Sequence, residues 1–581
     1  MIAVPDRAGG WWHDYVCPTH DTELTGPADA GHGCTRGCVV VGDRYDAAWR
    51  TLQHQAAARE LRRLARTGDS ADRQAALEIL DEIARVYATV VGPGWNESAE
   101  AWMLRGRMFA QALTEAQWAV LVADAVLLVD PEHTRPGVAD LLAGLAETFE
   151  DAYHVLVDQR DDERNNYTAW LCAAGSLVAQ AQGAAERAAL WVQRADRHLA
   201  CCLTADGWEW EGSTYYHLFV LRGHLLARRG ADAGSLDPQV RERLAAMVRV
   251  LAEVAAPDGR LPAIHDGPYD RPLAHREVLE IDALASGLFT STGLERVAQF
   301  ARASLGEWDD GLERLLSDWF TGSPEGVVEV SRGCVHYPSM GYAVLRDAAD
   351  SIQVVVDAGE HGGSHGHLDK LGLYLYGNAA WQPAPGVPPY ASGLRRGYYA
   401  RTLAHPTVRV DDVDQDATTG EIRSWDPQGR RLLAEAEPYP GIRMQRSVTI
   451  EHGVVVDVFR VEADSPRNLA LALRPAVDLE IATAGEVSST RWRCDTGAEL
   501  HGTHAARPEA ALQAVPGRGT SEDPARVRTL ADWKVQAPRA EFVSVYQQGV
   551  PVPCTIEIDA PERVIVRLNT PAGERTIEVT S

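Results

Sequence analysis

The sequence predicts an α+β chain of two unlike parts, an antiparallel array of helices followed by an antiparallel β-sandwich. Three observations carry this. From Tyr45 to about Phe320, Leu, Ala, Ile and Val recur at three- and four-residue spacing with polar residues between them, the period of amphipathic helices. Beyond Thr321-Gly322-Ser323-Pro324-Glu325-Gly326 the pattern changes to short β-branched runs separated by turn residues. At 581 residues the chain also exceeds one ordinary domain.

In chain order, residues 1–44 form an N-terminal arm rich in Gly, Cys, His and Trp, without clear periodicity. Residues 45–320 hold the helices, for example Trp49–Arg66, Gln74–Val91, Val138–Val157, Ala184–Leu203 and Val240–Ala255. Stop signals such as Gly92-Pro93-Gly94, Asp206-Gly207 and Pro257-Asp258-Gly259 separate them. Roughly ten helices with short connections predict neighbours that run antiparallel. The stretch 321–326 is the candidate linker. Residues 327–581 read as all-β, with runs at Val327–Val330, Ile352–Val356, Val408–Val410, Ser447–Ile450, Val454–Val458 and Val564–Val566.

Composition narrows the function. A net charge of −26 argues against nucleic acid as a partner. No apolar run approaches the ~20 residues of a membrane helix, so no membrane is expected. The start shows no basic segment leading into an apolar one, so a cytoplasmic location is expected. Cys172, Cys201 and Cys202 fall in apolar helical stretches, as reduced buried thiols do. In the arm, Cys17 and His20 form a C-x₂-H pair and Cys34 and Cys38 a C-x₃-C pair. These four ligands suit a closed tetrahedral zinc knuckle, with free cysteines as the other reading.

Four motifs can carry chemistry. In Asp206-Gly207-Trp208-Glu209-Trp210-Glu211-Gly212-Ser213-Thr214-Tyr215-Tyr216-His217 a turn leads into a helix, capped by Ser213 or Thr214. A tyrosine in that first turn can exchange a proton, although the aromatics equally suit packing. Arg164-Asn165-Asn166-Tyr167 opens another helix. An asparagine there caps the helix or donates to a substrate carboxylate. In His361-Gly362-Gly363-Ser364-His365-Gly366-His367-Leu368-Asp369-Lys370, three histidines threaded on glycine are hard to explain by packing. They suit a base or metal ligands. Last, Tyr390, Arg395, Arg396, Tyr398, Tyr399 and Arg401 precede Ala404-His405-Pro406-Thr407-Val408. Such a cluster offers cations for carboxylates and rings for sugar faces, or is a solvated loop.

Taken together, the layout and motifs resemble the heparinase II/III-like polysaccharide lyases over roughly residues 45–470. Gly341-Tyr342-Ala343-Val344-Leu345-Arg346 resembles the entry strand of that family's β domain, and His365-Gly366-His367-Leu368-Asp369 its histidine-rich motif. The resemblance implies an incomplete (α/α) toroid before the β-sandwich, and β-elimination on a uronic-acid-containing glycan. It places Asn166 on the substrate carboxylate and makes Tyr216 and His365 the catalytic pair. It also implies a metal, usually zinc, on His367 and His405. Two departures stand out: Ala384 replaces the metal-binding aspartate of Asp-Pro-Gly, and Tyr167 replaces a histidine.

The expected reaction removes the C5 proton of a uronate and protonates the departing O4 oxygen. Asn166 neutralises the carboxylate, with help from Arg395, Arg396 or Arg401. His365 is then the base and Tyr216 the acid, or Tyr216 serves as both. Trp208, Trp210, Glu211, His217, Asp266, Tyr390, Arg395, Arg396, Tyr399 and Arg401 are the candidate substrate contacts. The expected partner is an anionic oligosaccharide or polysaccharide, no organic cofactor is implied, and a homodimer is compatible with the chain. The alternatives are a glycoside hydrolase using Glu209, Glu211 and Asp266, which requires two carboxylates flanking the bond, and a non-catalytic glycan-binding protein.

Overall fold

The computed structural model of the chain describes residues 2–91, 94–267, 270–306, 311, 316, 318–559 and 563–580. Ten α-helices lie among them: α1 Asp43–Arg66, α2 Ser70–Val91, α3 Ala112–Val129, α4 Val138–Tyr153, α5 Asn166–Ala181, α6 Ala185–Cys201, α7 Thr214–Leu226, α8 Pro238–Val254, α9 Pro272–Ser286 and α10 Glu295–Leu305. The odd-numbered helices pack in sequence along an inner row, and each packs against the following even-numbered helix outside it. The row bends round on itself: Arg62 of α1 reaches Glu280 of α9 at 2.5 Å, both buried. This is the expected incomplete toroid of paired helices.

Position in the row sets composition. The outer helix α6 has one apolar face, with Ala188, Trp191, Ala195 and Leu199 inward and charged residues outward. Inner helices α3 and α5 are buried almost all round. Helix α3 is long and apolar enough to cross a membrane, yet most of it is buried between α1 and α5. Its apolar residues show no helical period, which is why periodicity did not single it out. The 321–326 stretch is pinned to the helices, since the Ala233 and Glu325 amides donate to the Thr321 and Leu288 carbonyls. Val327–Val330 is a correction to the strand reading. It is no strand but an extended tail, tied to Ser291 and packing Val328 onto the helical core.

The arm is more ordered than its composition suggested. Strands β1 Leu24–Ala28, β2 Gly31–Cys34 and β3 Val39–Val40 form a small antiparallel sheet. Tyr15, Cys17, Leu24 and Cys34 pack there on Tyr45 and Ala48 of α1.

The β part stacks three antiparallel sheets rather than two. The first comprises β4 Val335–Tyr337, β5 Tyr342–Arg346, β6 Gln353–Asp357, β7 Leu373–Tyr376 and β8 Ala380–Gln382. Its Ala343, Leu345, Val354 and Val356 pack on a ten-stranded sheet whose spine is the long pair Val454–Leu473 and Val527–Gln548. Val454, Val456, Val458, Val543 and Val545 on the far side of that spine meet a three-stranded sheet from 554 to 580. The other face of the first sheet (Tyr342, Val344, Val355, Tyr374, Tyr376) packs on Trp208, Val250, Val254 and Ile264 from the helices. Side-chain alternation along a strand makes β5–β7 apolar on both faces, one toward each part of the molecule.

Candidate active site

Three chain segments converge where the first sheet meets the toroid. Ser213, in extended conformation, caps α7: its Oγ accepts from the Tyr216 amide at 3.3 Å and donates to the Asp266 carbonyl at 2.6 Å. That bond ties the start of α7 to the 265–267 turn and places Tyr216 in the first helical turn. Asn165 caps α5 by accepting from the Tyr167 amide, which leaves Asn166 as the first residue of α5. The third segment is the histidine loop. Gly362 has φ +77°, and a Cβ there would lie 2.1 Å from the Glu211 carbonyl oxygen, so only glycine lets the loop approach that closely.

The resulting contacts are direct. The Tyr216 and His365 rings stack with centroids 3.6 Å apart and an 18° interplanar angle. His365 Nδ1 lies 2.5 Å from Glu211 Oε1, and Asn166 Nδ2 donates to Glu211 Oε2 at 3.3 Å. Tyr216 Oη and Tyr390 Oη are 2.5 Å apart. Arg395 sits 4.3 Å above the Tyr390 ring and donates from Nε to Asp266 Oδ2 at 2.9 Å. Asp266 also takes His367 Nε2 at 3.1 Å. Burial pushes the Tyr216 hydroxyl well above the usual tyrosine value, and Tyr390, Asp266 and Glu211 push it the same way. Tyr216 is therefore held in its protonated form. Glu211 fixes the Nδ1–H tautomer of His365, and among the described residues Nε2 has no protein hydrogen-bond partner.

Asn166, Tyr216, His365, Glu211, Asp266, Tyr390 and Arg395 thus come together. Trp210 flanks them, its ring under Arg164 at 4.7 Å and its Nε1 donating to the Arg164 carbonyl. Arg396 donates to the Ser364 carbonyl at 3.3 Å. Four expected substrate contacts have their side chains engaged away from this cluster. Trp208 is fully buried among His217, Tyr337 and Tyr342, and packs the two parts together. His217 is buried between the Glu209 amide and the Met247 carbonyl, and burial lowers it to about 4. Tyr399 is buried and donates to the Gly519 and Thr520 carbonyls. Arg401 points to Asp414 at 3.2 Å and to the Arg396 carbonyl. Each of these took its place in the motif from its neighbours, and each side chain is used elsewhere.

The metal implied on His367 and His405 does not fit its surroundings. The two rings are 5.1 Å apart, but His405 Nε2 is held by the Tyr399 carbonyl at 2.9 Å and Nδ1 lies 3.1 Å from Tyr374 Oη. His367 Nε2 is taken by Asp266, which leaves Nδ1 alone without a partner, and Ala384 is a buried methyl where an anionic ligand would stand. The positive charge comes from protein. Lys370 Nζ lies 2.8 Å from Asp357 Oδ2 and 3.7 Å from Asp369 Oδ1, and His265 Nε2 lies 3.2 Å from Asp357 Oδ2. Burial alone would lower His265, but hydrogen bonds and charges from Asp357 and Asp369 outweigh it and hold it at about 9. Two buried carboxylates are thereby balanced by two cations.

Two other groups bring metal-ligating atoms together. Cys17, His20, Cys34 and Cys38 have their ligand atoms within 4.8 Å of one another, as do His198, Cys202 and His224. In the second group His198 Nδ1 already lies 3.0 Å from His224 Nε2 inside the helical core.

Beside the cluster lies a cavity of about 380 Å³, lined by Tyr216, Tyr390 and the inner helices. Its charged wall carries Arg59, Arg62, Arg222, Arg271 and Arg276 against Glu23, Glu277 and Glu280. Arg62 and Arg222 pair with Glu280, Arg222 also with Glu277, and Arg271 pairs with Glu23 and with Glu522. Trp12 and His13 of the arm line the same cavity, and neither was expected from sequence. The run Trp11-Trp12-His13 was the available signal, but no period or spacing connects it to a site more than 200 residues away.

Comparisons with known proteins agree with this architecture. Residues 329–580 match the model of the family "Heparinase II/III-like, C-terminal". No curated protein matches the sequence. Among solved structures, a heparinase III is 14% identical with a TM-score of 0.67, over 96% of this chain and 86% of that one. The heparan sulfate lyase HepC from Pedobacter heparinus is 14% identical with a TM-score of 0.59, over 92% of this chain and 83% of that one. Residues 329–580 of this chain are therefore similar to the C-terminal part of the heparinase II/III-like family, and the chain as a whole carries the heparinase III fold.

Proposed function

We propose that the protein is a lyase that cleaves a uronic-acid-containing glycan by β-elimination. The observation that carries this reading is the stacked Tyr216–His365 pair, braced by Glu211 and Asn166 at the edge of a cavity walled by arginines and glutamates. Abstracting the C5 proton moves charge onto the adjacent carboxylate, so that carboxylate must be neutralised first. The Asn166 amide does so, with Arg395 nearby. His365 Nε2 takes the C5 proton, and Glu211 stabilises the imidazolium that forms, as an acidic residue orients a catalytic histidine elsewhere. The electron pair becomes the C4–C5 double bond, and O4 departs with the proton of Tyr216. The high pKa of Tyr216 supports the divided roles over tyrosine acting as both base and acid.

The carboxylates a hydrolase would need are otherwise engaged. Glu211 holds His365 and Asn166, Asp266 holds Arg395 and His367, and Glu209 is fully buried. The names of the structural relatives make heparan-type chains the first substrate to offer, ahead of chondroitin, hyaluronan and alginate. The test is near-ultraviolet absorbance of the unsaturated uronate, with wild type and Tyr216→Phe side by side. A rise that the variant abolishes is expected. Saturated fragments from wild type, or binding with no product across the panel, would overturn the proposal.

We further propose that Cys17, His20, Cys34 and Cys38 bind one structural zinc ion. The sulfurs of Cys17, Cys34 and Cys38 lie 3.6, 3.5 and 3.5 Å from His20 Nδ1, and Cys17 and Cys38 are 3.2 Å apart. A zinc tetrahedron with its usual bond lengths has edges of about 3.4–3.8 Å, which the three sulfur–nitrogen distances match, while the Cys17–Cys38 pair is closer. Four protein ligands leave no open position, so the ion takes no part in the chemistry.

A further inference from the structure

We infer that the N-terminal knuckle is the anchor of one wall of the catalytic cleft, so that zinc loading sets how the cleft holds its substrate. This rests on the zinc and lyase readings above and adds a positioning role to the metal. The chain path makes the connection short. Trp12–Asp14 is a single helical turn, and Cys17 follows His13 by four residues. Trp12 and His13 stack with centroids 3.6 Å apart, and both line the cavity that Tyr216 faces. The His13 ring packs on Tyr390 at 4.8 Å, and Tyr390 Oη meets Tyr216 Oη at 2.5 Å. One row of contacts thus runs from the arm to the proposed acid.

The knuckle also grips the cleft from outside. Asp21 Oδ1, in the turn between Cys17 and Thr22, accepts from Ser392 Oγ at 2.6 Å, two residues from Tyr390. Glu23 lies 3.7 Å from Arg271 at the start of α9, and Arg271 continues to Glu522 at 2.9 Å. Arg36, between the last two cysteines, reaches Asp523 at 2.5 Å. A unit of some twenty residues therefore contacts the toroid, the Tyr390 loop and the 519–526 loop of the ten-stranded sheet. The small sheet β1–β3 has strands of only five, four and two residues. Sheets this small are marginal alone, and a metal is what such a unit needs to hold its shape.

His13 and Trp12 are positioning residues in this scheme, as they touch the Tyr390 wall and the cavity but none of the atoms that react. Elemental analysis of the purified full chain should find one zinc per chain, and cobalt exchange should give a thiolate-to-metal charge-transfer band. His20→Ala should lose the metal and His20→Cys should retain it, which separates metal loss from misfolding. Hydrogen exchange at residues 11–14 and 390–396 should rise at least about tenfold in the metal-free variant, while α3 and α5 stay protected. On a turned-over glycan, His13→Ala should raise KM about tenfold with kcat little changed. Absence of both zinc and the cobalt band would overturn the proposal. So would a metal-free His20→Ala variant with unchanged exchange at 390–396. Failure of the lyase reading would show as no eliminated product, and leaves the metal and exchange measurements to decide the anchor on their own.

Discussion

At the scale of the residue, the proposed chemistry depends on Tyr216 being held in its acid form. Burial keeps Tyr216 protonated well past the ordinary tyrosine value of about 10. A group needed in its acid form and titrating above 10 causes no alkaline loss below 10. The pH profile of kcat/KM should therefore show no tyrosine limb up to about pH 10. Glu211 supports His365 through a 2.5 Å contact, so Glu211→Gln should lower kcat about 10²–10³-fold with KM little changed. Asn166→Ala should lose a comparable factor by removing one donor to the developing charge. Steady-state kinetics on the same oligosaccharide checks all three. Asn166, Tyr216 and His365 were each legible because each sits in a short, unusual motif. Glu211 was read as a sugar contact or a hydrolase carboxylate and not as the partner of His365, because the two lie 154 positions apart.

At the scale of the element, capping and burial place these groups. Glu115, in the first turn of α3, accepts from the amides of Arg107 at 2.7 Å and Met108 at 2.9 Å and from Tyr87 Oη at 3.2 Å. Burial nevertheless raises it to about 7. The folded protein then binds this proton more tightly than the unfolded chain, so the associated stability is complete below about pH 4.5 and lost as pH rises through about 7. Glu115→Gln should flatten the fall in denaturant midpoint between pH 4.5 and 7, and an unchanged slope would count against this assignment. Gly362→Ala should disturb the histidine loop, since its Cβ would meet the Glu211 carbonyl at 2.1 Å in a left-handed backbone. Its expected signature is lost activity with a cost of about 1–3 kcal/mol in global stability. Elements with one buried face were visible in the pattern: α1, α2, α4, α6 and α8 lie within a few residues of where periodicity put them. Helix α3 was invisible because burial on all sides erases the period, and Val327–Val330 misled because β-branched residues also suit an extended tail against helices.

At the scale of the whole molecule, the toroid and the first sheet share both an apolar seam around Trp208 and a buried charge cluster. His265 comes from the helical part, and Asp357, Asp369 and Lys370 from the sheet part. Removing one partner strands buried carboxylates, which costs about 3–5 kcal/mol. Lys370→Met should lose stability of that order in denaturant titrations monitored by circular dichroism, far more than a surface lysine would. The same cluster stands behind the His365–His367 loop, so the charges that join the two parts also lie beside the proposed site.

The sequence by itself determined the class of each part, because apolar period follows directly from which face of a helix or strand is buried. It also determined the short motifs whose glycines, caps and histidines act locally. Only the tertiary structure decided the pairings: Glu211 with His365, Tyr216 with Tyr390, His265 with Asp357, and the arm against the cleft. A residue's period encodes that it is buried but not against which distant residue. Trp208, His217 and Tyr399 were drawn into the core by contacts that lie far from them in the chain, and Lys370 supplies the charge that a metal was expected to bring. Those outcomes depend on distances that close only when both parts have packed together.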